Sequence, residues 1–459
     1  MTKKKRKGDR RDYGLWALAS DPAITVPGVL ERADDGTQTL NLMGVLGARA
    51  GRFESLDGVH RIFGQLESLP TVTLENCFES SPPSPFSNVP RQVWHVNESL
   101  HGAWIDAAKP WAFIAAKYTM PGLTNWATWR MGRDPVVVEN NVLLVRIALE
   151  QWELSRGDEV TVELLREGSI SELGETNIHV EAPIVMHVRC ARPMSSRELT
   201  RLAIRPVQIL VGLAMGEFTT TTSARVKVEP DGHYLNNYTK NQDITADPGA
   251  AIASFGFKDL TELAPGACAM WFCRAFEIGV VLDLYVASLG GAGAFAEQRF
   301  LLAAQTLEVY HRLSFDSKPF EADAWRDLRK KLREVVELNV EKGMVRELLV
   351  SKMVFMNEMS LKQRLEHLLS MIGGSSAYVC GGEKKKFVNS IRDTRDHFTH
   401  WSGARAKTAL TQGEGIVYAT SRLVGLMELL LLKEIGFEEG SRPWKEVIRR
   451  RISWLPAGP

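Results

Sequence analysis

The sequence predicts an α+β protein, a β-rich, sandwich-like or barrel-like N-terminal domain followed by an all-α helical bundle. Three observations carry this. Up to about residue 260, short apolar runs alternate with polar residues and are broken by Pro and Gly clusters such as Pro82-Pro83-Ser84-Pro85, the grammar of half-buried strands. Beyond that point apolar residues recur at three- and four-residue spacing, the period of a helix with one buried face. The 459 residues, 44% of them hydrophobic, suit two or three domains at roughly 100–200 residues each. The expected division is a basic arm at 1–12, a β-rich domain at 13–260 and a helical domain at 261–459, with the linker between 236 and 265.

The arm carries Lys3, Lys4, Lys5, Arg6, Lys7, Arg10 and Arg11. A solvated flexible tail is its ordinary reading and a phosphate-binding arm the sharper one. Val29 to Met43 reads as a hairpin, because Asp35-Gly36 suits the positive φ of a type I′ turn. Val72 and Leu74 alternate with Thr71, Thr73 and Glu75 as a strand. The pattern continues through Val136–Ile147, Val160–Leu165, Ile178–Val180 and Ile184–Val188. A helix from Ser196 to about Met215 should bend near Pro206. Ala224 to Val228 returns to strand and ends at the turn Pro230-Asp231-Gly232. The helical half is expected to hold six to eight helices, with stripes starting at Met270, Trp271, Phe276 and Val280. Further stripes run through Phe300, Leu301, Ala304, Leu307 and Tyr310, through Leu328, Leu332, Val335, Val336 and Leu338, and through Leu348, Leu361, Leu365, Leu368 and Leu369. Leu423 to Leu432, apolar nearly all round apart from Glu428, should be the central helix. Glycines at 289–291, 373–374 and 381–382 would mark breaks.

Composition excludes several classes. The formal net charge of +1 makes the chain no general magnet for nucleic acid, so any basic surface is local. The five cysteines, Cys77, Cys190, Cys268, Cys273 and Cys380, form no CxxC pair; neither a disulfide framework nor a cysteine zinc site is expected, and a reducing cytoplasm fits. Cys268 and Cys273 are expected to pack on a helix as small apolar groups. No signal peptide and no membrane span are expected, since spanning needs about 20 apolar residues. The chain has no GxxxxGK[ST] loop, HExxH helix or GxSxG elbow, so ATPase, zinc-protease and serine-hydrolase readings lack their motifs. Neither a metal nor a cofactor is expected.

The informative stretch is Phe387 to His400, FVNSIRDTRDHFTH, followed by Trp401, Ser402 and Gly403, a plausible helix stop. Arg392, Asp396 and His400 are four residues apart and share one helical face. These residue types suit metal-free RNA cleavage. The 2′-hydroxyl must lose a proton and the leaving oxygen must gain one, and an imidazole with a reference pKa of about 6.5 serves both steps. An arginine fork grips the extra negative charge of the transition state, and an adjacent Asp can orient either group. By spacing alone, a salt-bridged helix end is the ordinary reading.

Arg395-Asp396-His397-Phe398-Thr399-His400-Trp401 resembles the signature of the HEPN domain, and in particular of the Apea-like HEPN family. Arg299-Phe300-Leu301 leading into Leu307-Glu308-Val309-Tyr310-His311-Arg312 resembles a characteristic helix of that family. Ile62-Phe63-Gly64 followed by Val72-Thr73-Leu74 resembles the β-rich domain that precedes it in bacterial ApeA-type defence proteins. The resemblance covers nearly the whole chain. It implies a metal-independent endoribonuclease that acts in abortive infection against phage, with RNA as partner (tRNA a candidate), a phage-derived trigger, and a homodimer formed through the HEPN domain. It implies Arg395 and His400 as catalytic pair, with Asp396 beside them where the family often has Asn. Arg392 and His397 repeat the same spacing, with Asp393 after the arginine, and stay open as the alternative pair or as RNA contacts. Lys384, Lys385 and Lys386 are candidate RNA contacts whose ordinary reading is a solvated face; Arg449-Arg450-Arg451 is of the same kind. Glu308, His311 and Arg312 are candidate supports for the site, or an interhelical polar anchor. The rival reading is a non-catalytic protein whose helical domain holds RNA or a partner while the β half senses a ligand.

Overall fold

The computed structural model describes residues 10–47, 58–67, 71–81, 90–129, 136–139, 142–145, 150–173, 178–239, 253–263, 266–289, 294–315, 318–400, 408–411 and 413–456. Lys3–Lys7 of the arm, the Pro82–Pro85 cluster, the glycines at 290–291 and the helix stop at 401–403 lie outside these residues. The chain divides into two compact units, Met1–Phe272 and Cys273–Pro459.

The first unit is built on β1 (Arg10–Leu18), β2 (Asp21–Arg32), β3 (Gln38–Leu42), β4 (His60–Leu66), β5 (Val72–Ser81) and β6 (Gln92–His101). They pair antiparallel in the order β6-β3-β2-β1-β4-β5, and β5 pairs back onto β6. The ring is therefore a closed barrel with no free edge. Inward residues at every second position fill it, among them the fully buried Trp16, Leu30, Leu40, Ile62, Leu74 and Trp94. Gly64 faces Trp16 across the β1–β4 pair, and a Cβ there would run into the indole. β6 outlasts its partner β3. Its first half, Gln92–Val96, pairs β3, while Glu98–His101 pairs β16 (Leu235–Thr239). A second sheet therefore springs from β6 in the order β16-β15-β7-β14-β11-β10. Here β7 is Phe113–Thr119, β10 Gln151–Arg156, β11 Val160–Arg166, β14 Ile184–Met194 and β15 Ser223–Lys227. Two hairpins stand apart, β8 (Val136–Glu139) with β9 (Val142–Val145) and β12 (Ser169–Leu173) with β13 (Ile178–Glu181).

Two local expectations are corrected. Arg10, Arg11 and Asp12 are not part of a free arm. They open β1, and Asp12 meets Arg32 at 2.8 Å. The Asp35-Gly36 hairpin is not a two-residue type I′ turn either. Gly36 N–H donates to Ala33 O (3.1 Å), Ala33 N–H donates to Thr37 O (2.9 Å) and Gly36 has φ 81°. This is a tight turn followed by a left-handed glycine bulge, the three-residue hairpin loop. A short helix α1 (Leu123–Ala127) follows β7. The long helix before β15 is α2 (Ser196–Leu199), a π-helical stretch Thr200–Ile204 and α3 (Arg205–Met215). The irregular stretch falls just before Pro206, whose missing N–H cannot continue the α pattern. The Pro206 carbonyl accepts the indole N–H of Trp271 at 3.0 Å.

After α4 (Phe257–Leu263) comes α5 (Ala267–Glu277), within which the division between units falls. Cys268 is buried and Cys273 exposed, because five positions turn a helix by about 140° beyond a full revolution. Burial pushes the Cys268 thiol up to about 12. Of the first apolar stripe only Trp271 is buried; Met270, Phe276 and Val280 are more than half exposed.

The helical unit comprises α6 (Gly279–Leu289), α7 (Ala296–Ser314), α8 (Ala322–Asn339), α9 (Met344–Lys352), α10 (Leu361–Met371), α11 (Ser376–Cys380), α12 (Lys384–His400), α13 (Glu414–Ile435) and α14 (Arg442–Arg451). α13 is the central helix, with every residue from Arg422 to Leu432 buried. It is the one helix among the described residues long and apolar enough to cross a membrane, and 78% of that apolar stretch is buried inside the protein. Helix α7 packs on α6, α10, α12 and α13 through Phe300, Ala304, Leu307 and Tyr310. No residue of the stripes on α8 and α9 is fully buried; Leu328, Leu332 and Val336 are half-buried, and Val335, Leu338 and Leu348 are exposed: periodicity fixes an apolar face but not whether a neighbour covers it.

Candidate active site

Helix α12 carries the motif. Its apolar residues Phe387, Val388 and Ile391 are buried, which turns the following arginines, acids and histidines along one boundary between core and solvent. Thr394 is fully buried; its hydroxyl donates to Ser390 O (2.7 Å) and accepts the Leu410 N–H (2.8 Å), tying the returning chain to the helix.

The two candidate registers are used differently. Asp393 is 5% exposed, with one oxygen accepting Arg392 (Nη2, 2.7 Å) and the other the Thr408 hydroxyl (2.8 Å). That pair acts as a lock between α12 and Thr408. In the other register, Arg395 is one-third exposed. Its Nη1 donates to Asp396 Oδ1 at 3.1 Å and its Nη2 lies 3.5 Å from Glu308 Oε2 on α7. Two of five guanidinium N–H groups are engaged this way, leaving donors for a further anion. His400 is exposed at the end of the helix. His397, half-buried, has its ring edge against Phe398 with centroids 5.3 Å apart. Trp401 lies outside the described residues.

Asp396 therefore spends one oxygen on Arg395, which makes it an orienter of the arginine. Lys384, Lys385 and Lys386 are exposed in the first turn of α12, at the opposite end from His400 and roughly 24 Å from it at 1.5 Å per residue; the fold does not bring them to the pair. Lys384 Nζ donates to Glu366 O at 3.2 Å.

The three supports on α7 do converge. Glu308, beside Arg395, also accepts Arg312 at 3.1 Å, and Arg312 reaches Glu358 at 2.8 Å. Glu358 lies 3.9 Å from Arg364 of α10, which is 1% exposed. Arg364 Nη1 is 3.2 Å from His311 Nδ1, and His311 Nε2 is 2.9 Å from His367 Nδ1. A chain of charged and polar groups thus runs from Arg395 into the bundle. Sequence reasoning missed Glu358, Arg364 and His367. The available signal was the Ser360/Gln363 capping box, formed in the structure, which fixes the start of α10 and so puts Arg364 beside its apolar stripe. Arg449–Arg451 do not form one solvated face. Arg450 and Arg451 turn inward to Glu428 at 3.2 and 2.7 Å, and Arg449 pairs with Glu446 at 2.6 Å.

Because Arg364 can only donate, His311 Nδ1 accepts, and its proton sits on Nε2, facing His367. Burial, then the neighbouring Arg364, His367 and Arg312, push His311 down from 6.5 to about 4. The unfolded chain thus binds a proton that the folded one refuses over this range. The stabilisation is complete above pH about 6.5 and is lost as pH falls towards about 4. Denaturation midpoints measured across that window should fall with pH, and His311→Gln should flatten the slope. An unchanged slope would assign the acid sensitivity to other groups.

Among the described residues no three of His, Cys, Asp and Glu stand together as a metal site. Compared with known proteins, the chain matches the family model described as ApeA N-terminal domain 1 over residues 12–245 and that described as Apea-like HEPN over residues 301–441. No curated protein and no solved structure matches it.

Proposed function

The chain belongs to the ApeA-type family of HEPN proteins, and from that premise we propose that it is a metal-independent endoribonuclease, an abortive-infection effector acting on RNA in the bacterial cytoplasm. The observation that carries the reading is the Arg395 site. An arginine with donors to spare is held by Glu308 and Asp396 at the solvent boundary, five residues before an exposed histidine, while in the competing register the acid, Asp393, is buried and shared between Arg392 and Thr408.

In this mechanism the 2′-hydroxyl oxygen attacks the adjacent phosphorus and the P–O5′ bond breaks. His400 moves the proton, and Arg395 donates to the non-bridging oxygens, where charge builds up in the transition state. Glu308 and Asp396 fix the guanidinium plane. The second proton-transfer group is His400 of a second subunit in a homodimer, with His397 of the same chain as the alternative. A phage-derived trigger would act through the β-rich unit. tRNA is a candidate target, which sequencing of RNA ends from induced cells, compared with His400→Ala, would identify.

Purified protein should cleave RNA equally well in EDTA and leave 2′,3′-cyclic phosphate or its hydrolysed form. Complete loss of activity in EDTA, restored by magnesium, would overturn the mechanism. The rival reading, a binding module with a silent Arg/His pair, expects no cleavage under any condition.

A further inference from the structure

At the other end of α7 from Glu308, a half-open cleft of about 190 Å³ lies among α6, α7, α13 and the end of α14. It exceeds the ~150 Å³ cavity that takes up benzene. Arg299 reaches it from α7, with Nε donating to Ser288 O at 3.3 Å. Its Nη groups bond no described residue. Arg451 lines the same cleft. Arg299 brings a positive charge to the wall of the cleft.

The remaining polar groups are committed in a way that selects the ligand. The Thr420 hydroxyl donates to Ile416 O (2.7 Å) and that of Ser421 to Arg451 O (2.7 Å), so both can offer only lone pairs to a guest. The Trp454 indole N–H is used on Arg450 O (2.9 Å), and the ring, 58% exposed, is steadied edge-on by Tyr418. What remains of it is a flat apolar face at the lip, next to the exposed Val417. A guest that satisfies all of this is anionic at one end, carries O–H or N–H donors and has a planar ring to stack.

We propose that this cleft is a binding site for a nucleoside monophosphate, its phosphate on Arg299, its hydroxyl or amino donors on Thr420 and Ser421, and its base on Trp454. The site is separate from Arg395, and the proposal does not depend on nuclease activity.

Calorimetric titration of the full chain with AMP, UMP and inorganic phosphate tests it. A mononucleotide should bind, and phosphate alone should bind at least about tenfold more weakly, lacking the stacked ring. Arg299→Gln, which removes the charge-assisted contact, should weaken the mononucleotide about tenfold or more. Val417→Trp, at an exposed position that tolerates bulk, should block the lip, with circular dichroism confirming that both variants fold. Arg395→Ala should leave the affinity unchanged. No heat at millimolar mononucleotide, equal affinity for phosphate, unchanged affinity in both cleft variants, or loss of binding in Arg395→Ala would each overturn the proposal.

Discussion

Alanine at His400 or at Arg395 is expected to lower RNA cleavage by about 10²–10⁴-fold, the size of a lost proton-transfer group or of a lost donor to developing charge. Folding should hardly change. His400 is exposed, and Arg395 is one-third exposed in ion pairs of 3.1 and 3.5 Å, a class worth about 0–1 kcal/mol. Arg392→Ala should show the opposite balance, with cleavage reduced mildly and stability reduced because the buried Asp393 loses the two bonds it accepts from Arg392, at 2.9 and 2.7 Å. Glu308→Gln should fall between the two, since it loosens Arg395 without removing it. If the site is shared in a homodimer, adding His400→Ala subunits to the wild-type protein should lower activity more than by dilution, because a mixed pair lacks one of the two His400 groups of the shared site. An essential Arg392/His397 pair with a dispensable Arg395/His400 pair would reverse the assignment. A fully active monomer by light scattering would remove the shared cleft and leave His397 as the second histidine.

The second large effect concerns folding. Glu428 is fully buried in α13. Its Oε1 accepts the Tyr285 hydroxyl at 2.8 Å and Arg451 at 3.0 and 2.7 Å, and its Oε2 accepts Arg450 at 3.2 Å. Burial alone would raise the carboxyl pKa, but Arg451 and Arg450 outweigh it and hold the group below the usual range. Glu428→Ala takes a shared buried carboxylate away from two inward arginines, and breaking a buried pair from one side costs about 3–5 kcal/mol. In a unit of this size that lowers Tm by on the order of 10 °C. Glu428→Gln keeps acceptors for Tyr285 and one arginine and should lose less. A Glu428→Ala protein with unchanged Tm would mean that water reaches the arginines and screens them. This cluster borders the proposed nucleotide cleft, so Glu428→Ala is unsuitable as a binding control.

Much of the architecture was legible because it follows from backbone periodicity. Alternation marked β5, β11 and β14, and the 3.6-residue period marked α7, α10 and α13, since a face buried against anything must repeat with the element's own pitch. The change of grammar near residue 260 separated strand-rich from helical sequence for the same reason. The motif on α12 was legible as a motif, and Asp396, next to Arg395 in sequence, was visible as its neighbour.

What the sequence by itself determined, then, was element type, their order, and the placing of Arg395, Asp396 and His400 on one exposed helix end. Only the tertiary structure decided which partners each charge meets. Glu428 was visible as a lone acid in an apolar run, but nothing local said that Arg450 and Arg451 would turn inward to it; three consecutive arginines read equally well as a solvated face. Arg392 and Arg395 carry the same Arg-Asp pair, and only the tertiary structure brings Thr408 to Asp393 of the one and Glu308 to the arginine of the other. The closing of β5 onto β6, the incomplete burial of the α8 and α9 stripes and the network from Glu308 to His367 belong to the same class. Each depends on a contact between residues far apart in the chain, and such contacts are set by packing, which neither propensity nor spacing encodes.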